Sequence, residues 1–204
     1  MAAVDWSLLH ALNDFMFRHD AVEDPLLYYV NASEALFAAT LAIVFLAARG
    51  AAHAAWRRAS LAAVLSAGLG LAIGKLISEV VDRSRPFVAD PQGVHLFSGH
   101  AADPGFPSDH ATAAFAIAVA ILLRKRGWGI AAVVAATVLS VGRVALGVHY
   151  PSDVLAGAAL GAAAALTLWA PPLRAKVDRL ADLLGAAWDR VVERAVSGFA
   201  SLRS

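Results

Sequence analysis

Apolar residues gather along the chain in five long blocks, Pro25–Ala48, Ser60–Val81, Ala111–Leu123, Trp128–Gly147 and Val154–Ala170. A helix that crosses a bilayer needs about 20 mostly apolar residues. Four blocks approach or exceed that length. The third falls short unless it extends upstream through the polar Ser108, Asp109 and His110, which requires those residues to line a site. Trp6–Phe17 alternates apolar and polar residues at helical spacing and fits either a short first span or a helix lying in the interface. After Pro171 and Pro172, apolar residues recur at Leu173, Val177, Leu180, Leu184, Trp188, Val191, Ala195 and Phe199. Steps of three and four place them on one stripe, with Arg, Lys and Asp around the rest of the helix. That pattern fits an amphipathic helix on the membrane surface; a solvated or oligomer-forming helix is the competing reading. The fold expected is all-α: a polytopic transmembrane helix bundle of five to six spans over residues 1–172, followed by an amphipathic cytoplasmic tail over residues 173–204.

Composition agrees with this. Only 16% of the residues are charged, against about a quarter in a soluble domain. The absence of cysteine excludes disulfides, a thiolate nucleophile and Cys-ligated zinc. Residues 1–24 carry five acids and one Arg, with no basic region ahead of an apolar run, so a cleaved secretory signal is not expected. Small residues crowd Gly157 through Ala165 and Ala131 through Ala136, which lets helix backbones approach closely. With five spans, one side holds Arg49, Arg57, Arg58, Arg124, Lys125, Arg126, Arg174, Lys176, Arg179, Arg190, Arg194 and Arg203. The other side holds Arg18, Arg83 and Arg85. Twelve against three places the first set in the cytoplasm by the positive-inside bias.

Three polar clusters then stand out, each at the end of an apolar block and all on the other, extracytoplasmic side. They are Arg83-Ser84-Arg85-Pro86-Phe87, Phe106-Pro107-Ser108-Asp109-His110, and Arg143 through His149 to Asp153. Pro151 suits the first turn of a helix, putting Asp153 in that turn and His149 just before it. An Asp four residues from a His can accept its ring N–H and leave the other nitrogen as a nucleophile; interfacial placement with a helix-dipole role for Asp153 is the alternative. Arg143, in an otherwise apolar helix, suits two phosphate oxygens, or a salt bridge to Asp82 or Asp109. Ser108 can cap the helix that follows, whose first N–H groups then point at any anion. His110 would sit where it can protonate a leaving oxygen. Arg85, set off by Pro86, and Arg83 bring charge to the membrane surface. Lys75 and Glu79, four residues apart, can pair within the membrane, with Glu34 as a third member of that network. His95 and His100 are loop histidines, contacting substrate or simply solvated.

The order and spacing of the clusters resemble the type 2 phosphatidic acid phosphatase (PAP2) superfamily, and in particular the undecaprenyl-diphosphatases associated with bacitracin resistance. The family signature reads Lys, six residues, Arg-Pro; then Pro-Ser-Gly-His; then Ser-Arg, five residues, His, three residues, Asp. Pro107-Ser108-Asp109-His110 and Gly142-Arg143 through His149 to Asp153 match the second and third blocks, with Asp109 in place of glycine. The first block departs: Ser78 stands where the Lys should be, and Lys75 lies nearly one turn deeper. The resemblance implies a helical bundle in a bacterial inner membrane with its site on the outer face and no metal or other cofactor. It implies His149 as nucleophile, Asp153 as its support and His110 as acid and base, with Arg85, Arg143, Ser108 and Asp109 at the phosphate. Lys75, Arg83 and Glu79 are further candidates. The substrate implied is undecaprenyl diphosphate, with phosphatidic acid, phosphatidylglycerol phosphate or a soluble phosphate ester as alternatives. No nucleic-acid partner is expected, and a homo-oligomer is left open. The rival from another class is a transporter with Glu34, Lys75 and Glu79 along a polar pathway.

Overall fold

The computed structural model of the chain describes residues 2–201; Arg203 and the side chain of Phe199, both used above, lie outside what is described. Every regular element among the described residues is a helix. In chain order these are α1 (Ala2–Phe17), α2 (Asp20–Ala47), a short 3-10 turn at Ala51–His53, α3 (Ala54–Val81), α4 (Pro86–Ala89), α5 (Asp109–Leu122), α6 (Arg126–Ala145), α7 (Pro151–Trp169) and α8 (Pro171–Ser201). The helices Asp20–Ala47, Arg126–Ala145 and Pro151–Trp169 and the segment Ala51–Ala89 are long and apolar enough to cross a membrane, and α5 is a shorter apolar helix. The protein is membrane-embedded. Each apolar block lies within a helix, apart from a residue or two at its C-terminal end, and α5 runs through Asp109 and His110 as the short block required. The ends differ by a few residues; α3 starts six residues early because Trp56, Arg57 and Arg58 continue the helix beyond the apolar run.

At the centre is α5, packed against α3, α6 and α7. Its small side chains make this possible: Ala111, Ala114, Ala116, Ala118 and Ala120 are all fully buried. On α7, a Cβ added at Gly161 would lie 2.2 Å from the Thr112 carbonyl oxygen, and one at Gly157 would lie 2.5 Å from that of Ser108. The two backbones therefore touch, as the crowding of small residues anticipated. The run at 131–136 behaves differently. Ala136 enters the core, while Ala131, Ala132 and Ala135 line an open apolar cleft between α2, α3, α5 and α6.

α1 lies across the motif-bearing end of the bundle. Asp5, near its start, bonds Ser152, and Asn13, about two turns further on, bonds the Ala145 and His95 carbonyls. Both ends of the helix thus meet the single junction between α6 and α7. A helix crossing the bilayer would carry these residues about 12 Å apart in depth. The interface alternative for Trp6–Phe17 is the one the contacts support.

At the opposite end α8 docks mainly on α3, and also meets α7 and α2. Much of the predicted stripe stays open, as a helix on a membrane surface would leave it, although the Trp188 indole donates to the Leu46 carbonyl at 3.1 Å. Val177 is buried, but Leu180, Leu184 and Val191 are exposed. The contact face also takes in Asp178, Ala181, Asp182, Gly185 and Asp189, which share one side of the helix. Arg57 makes paired hydrogen bonds of 2.9 and 2.7 Å to Asp189, Arg58 makes paired bonds of 2.9 and 2.7 Å to Asp182, and Arg124 bonds Asp178 at 3.0 Å. Gly185 lets Arg57 pass: a Cβ there would lie 2.6 Å from its Nη1. Four arginines, Arg49, Arg57, Arg58 and Arg124, crowd this end of the bundle, and Asp178, Asp182 and Asp189 of the tail pair with them.

Candidate active site

The turn between α6 and α7 carries His149, which is 2% exposed. Gly147 makes that turn feasible, with φ +78° and its Cα against the loop that follows α4: a Cβ would lie 2.7 Å from the His95 carbonyl oxygen. His149 Nδ1 lies 3.0 Å from the Gly105 carbonyl oxygen. A carbonyl only accepts, so Nδ1 carries the hydrogen and Nε2 presents its lone pair. Arg85 Nη1 stands 3.0 Å from that lone pair and donates to it. Burial first, then the nearby Arg143 and Arg85, hold the imidazole pKa well below its ordinary value. A neutral ring with a defined free nitrogen results, which is what a nucleophile requires.

Asp153 was expected to accept the His149 ring N–H. The Gly105 carbonyl takes that role, and the nearest Asp153 oxygen is 3.6 Å from Nδ1. The reason is that Asp153 is already engaged. It accepts the Tyr150 N–H at 2.8 Å, closing the first turn of α7, and the Arg83 guanidinium at 2.6 Å. Arg83, expected to lend charge at the membrane surface, is consumed in the same way. It bridges Asp153, Ser152 and Asp5 and lies over the Tyr150 ring at 4.2 Å.

Two arginines remain turned toward His149. Arg85, at the N-cap of α4, is buried and donates to the Asp103 carboxylate and carbonyl, the Val148 carbonyl and His149. Arg85 in turn holds the Asp103 carboxyl below its usual range against the opposing effect of burial. Arg143 is 5% exposed, and no salt bridge to Asp82 or Asp109 forms among the described residues. Its Nη2 donates to His100 Nε2 at 2.8 Å, while its buried Nε has no partner. The loop histidines are therefore not simply solvated. His100 holds Arg143, its own pKa lowered by burial and then by Arg85 and Arg143; His95 stacks on Phe17 at 3.7 Å.

α5 points its N-terminus at this cluster. Ser108 caps it, its hydroxyl accepting the Ala111 N–H at 3.5 Å, and the N–H groups of Asp109 and His110 enter no hydrogen bond among the described residues. The Asp109 carboxylate faces α3 at Gly74, so what Asp109 offers an anion is its backbone. His110 Nε2 is 3.1 Å from Glu34 Oε1. That corrects the grouping of Glu34 with Lys75 and Glu79: Lys75 and Glu79 pair with each other at 3.9 Å, both largely exposed on the flank of α3. No group of three or more His, Asp or Glu side chains among the described residues is arranged to hold a metal ion. The arrangement is an anion site: two buried guanidinium groups, a helix N-terminus and an aligned imidazole lone pair.

The PAP2 superfamily profile matches residues 59–175, more than half of the chain, and takes in all three polar clusters. The chain belongs to the PAP2 superfamily. Among proteins similar to this PAP2 chain is the undecaprenyl-diphosphatase BcrC of Bacillus subtilis, 46% identical over 45% of this chain and 49% of its own length. The putative undecaprenyl-diphosphatase YbjG of Escherichia coli is 39% identical over 48% of this chain and 51% of its own. The lipid A 1-phosphatase of Rhizobium etli is 38% identical over 44% and 40%. The match spans about half the length of these relatives. The crystal structure of Aquifex aeolicus LpxE superposes with a TM-score of 0.66 at 20% identity, covering 79% of this chain and 92% of that one. That likeness shows a shared helical fold.

Four residues that the sequence reading did not single out also build the PAP2 site. Asp5 and Ser152 complete the Arg83 bridge. Asn13, wholly buried, accepts the His95 N–H and donates to the His95 and Ala145 carbonyls, tying the loop to the end of α6. The fourth is Gly105, whose carbonyl fixes the His149 tautomer. A signal for Asp5 and Asn13 was present: with Leu9 and Met16 they form one buried face of α1 at steps of four, four and three. Nothing local marks Gly105.

Proposed function

We propose that the protein hydrolyses a lipid diphosphate, undecaprenyl diphosphate, to undecaprenyl phosphate and phosphate at the extracytoplasmic face of a bacterial plasma membrane, recycling the lipid carrier of cell-wall synthesis. The observation that carries this reading is the free Nε2 lone pair of His149, held between two buried arginines at the N-terminus of α5. His149 Nε2 attacks the terminal phosphorus and the bond to the bridging oxygen breaks. The developing negative charge falls on Arg85, Arg143 and the first N–H groups of α5. The incoming phosphoryl oxygens draw the Arg85 N–H away from Nε2. As His149 becomes cationic, the Gly105 carbonyl and Asp153 steady its Nδ1–H. His110 protonates the leaving oxygen, then takes a proton from the water that cleaves the phosphohistidine.

Substrate and sidedness have separate support. The names of the relatives point to undecaprenyl diphosphate. An apolar cleft of about 590 Å³, reaching from Tyr29 and Phe37 to Trp56 and Trp128, opens one helical turn from Glu34 and suits a hydrocarbon chain. The distribution of basic residues supports a cytoplasmic position for α8 and its end of the bundle.

The test is phosphate release from undecaprenyl diphosphate, phosphatidic acid and phosphatidylglycerol phosphate, with and without EDTA. The diphosphate should be preferred and chelation should leave activity largely intact. His149→Ala should abolish turnover and Asp153→Asn should leave a small remainder; near-normal release by His149→Ala sinks the mechanism. For sidedness, single cysteines at Gly99 and Gly127 are exposed to an impermeant reagent in intact cells. Labelling at Gly99 alone is expected, and the reverse pattern would put the site in the cytoplasm.

A further inference from the structure

Glu34 is the ionisable residue near the cluster that the proposed chemistry leaves without a task. It sits on α2, outside the segment that matches the superfamily, and reaches the cluster only through the packing of α2 beside α5. Its Oε1 lies 3.1 Å from His110 Nε2, and no other carboxylate of the described residues comes within ion-pair distance of that ring. Glu34 makes no second ion pair among the described residues; its side chain is 78% exposed, whereas that of His110 is 20% exposed.

We infer that Glu34 is a positioning residue for His110: it accepts the Nε2–H, fixes the ring, and leaves Nδ1 as the nitrogen that exchanges a proton with the reacting groups. The inference rests on the reading above, in which His110 is the acid and base. In the first step the bond from His149 Nε2 to phosphorus forms, the bond from phosphorus to the bridging oxygen breaks, and that oxygen takes the proton from His110 Nδ1. In the second step water oxygen bonds to phosphorus, the phosphorus–Nε2 bond breaks, and the water proton returns to His110 Nδ1. Through both steps Nε2–H stays on Glu34, whose negative charge offsets the imidazolium beside two guanidinium groups. A carboxylate behind an acid–base histidine is the same device that second-layer groups supply elsewhere in proteins.

A charge that keeps His110 protonated, and so available as the acid, matters most when the leaving group needs a proton. The experiment compares single-turnover release of the leaving group from 4-nitrophenyl phosphate, which departs without protonation, and from an alkyl phosphate, which does not. Purified wild type, Glu34→Gln, Glu34→Asp and His110→Ala are measured alongside their thermal melts. Glu34→Gln should slow alkyl release about tenfold or more while slowing aryl release less than about twofold, a part of the 10²- to 10⁴-fold range for acid catalysis. Glu34→Asp should fall between Gln and wild type. Equal losses on both substrates, or none on either, overturn the inference. If His110→Ala shows the leaving-group dependence and Glu34→Gln does not, only the role of Glu34 fails; if His110→Ala lacks it as well, the reading of His110 as acid fails.

Discussion

The arginines at the two ends of this bundle live in opposite circumstances. At the α8 end each has its acid: Arg57 with Asp189, Arg58 with Asp182, Arg124 with Asp178. At the motif end Arg143 has a histidine and an unpartnered Nε, and Arg85 shares Asp103, itself 57% exposed, with carbonyls and an imidazole. A guanidinium buried without a carboxylate costs stability. Such a group persists where an anion arrives to complete it. Saturation of charge, more than the presence of arginine, separates a joint from a site.

The sharpest way to break this contrast is to remove one arginine from each end. Arg143→Met should cut turnover by about 100-fold, the scale of losing one donor to the transition-state oxyanion, while thermal stability stays the same or rises. Arg57→Ala should do the reverse. It leaves Asp189, whose carboxyl the Arg57 bond holds at about 2, with only the longer Arg49 contact, and should lower the melting temperature by several degrees with the activity of the folded fraction unchanged. If both substitutions cost stability and spare turnover, the motif end is only another joint.

Arg85→Ala should lower turnover by at least about tenfold, since its contact tightens as charge develops. pH offers a subtler test. In the proposed reaction His149 must be neutral to attack, and its pKa lies well below the ordinary 6.5. The acid limb of kcat/KM should therefore fall below pH 6.5, and removing either nearby cation should move that limb upward. A limb at or above 6.5 in the wild type would mean that the ring is not held as described. The smallest effect should come from Lys75→Met. With Lys75 paired to Glu79 on the flank of α3, it should reduce folded yield more than turnover, and Glu79→Gln should recover part of the yield. A well-folded Lys75→Met as inactive as Arg85→Ala would show that the lysine reaches the phosphate.

Most of the architecture was legible in the chain. Apolar blocks of spanning length, Pro151 at a first turn and Ser108 as a cap all depend on local periodicity and local hydrogen bonds, and the structure repeats them with shifts of a few residues. The three polar clusters were legible too, because a histidine or arginine inside apolar sequence is costly enough to demand a reason. Partnership was not. Which acceptor holds His149, which acid meets His110 and which face of α8 turns inward depend on groups brought together from distant parts of the chain. Spacing favoured Asp153 for the His149 ring and Lys75 and Glu79 for Glu34. Tertiary packing gave those places to Gly105 and His110. The physical reason is one of reach. Hydrophobic pattern and helix capping act within a turn or two and are written in consecutive residues. A hydrogen bond or ion pair is decided within about 3 Å, by whichever group the completed packing delivers there.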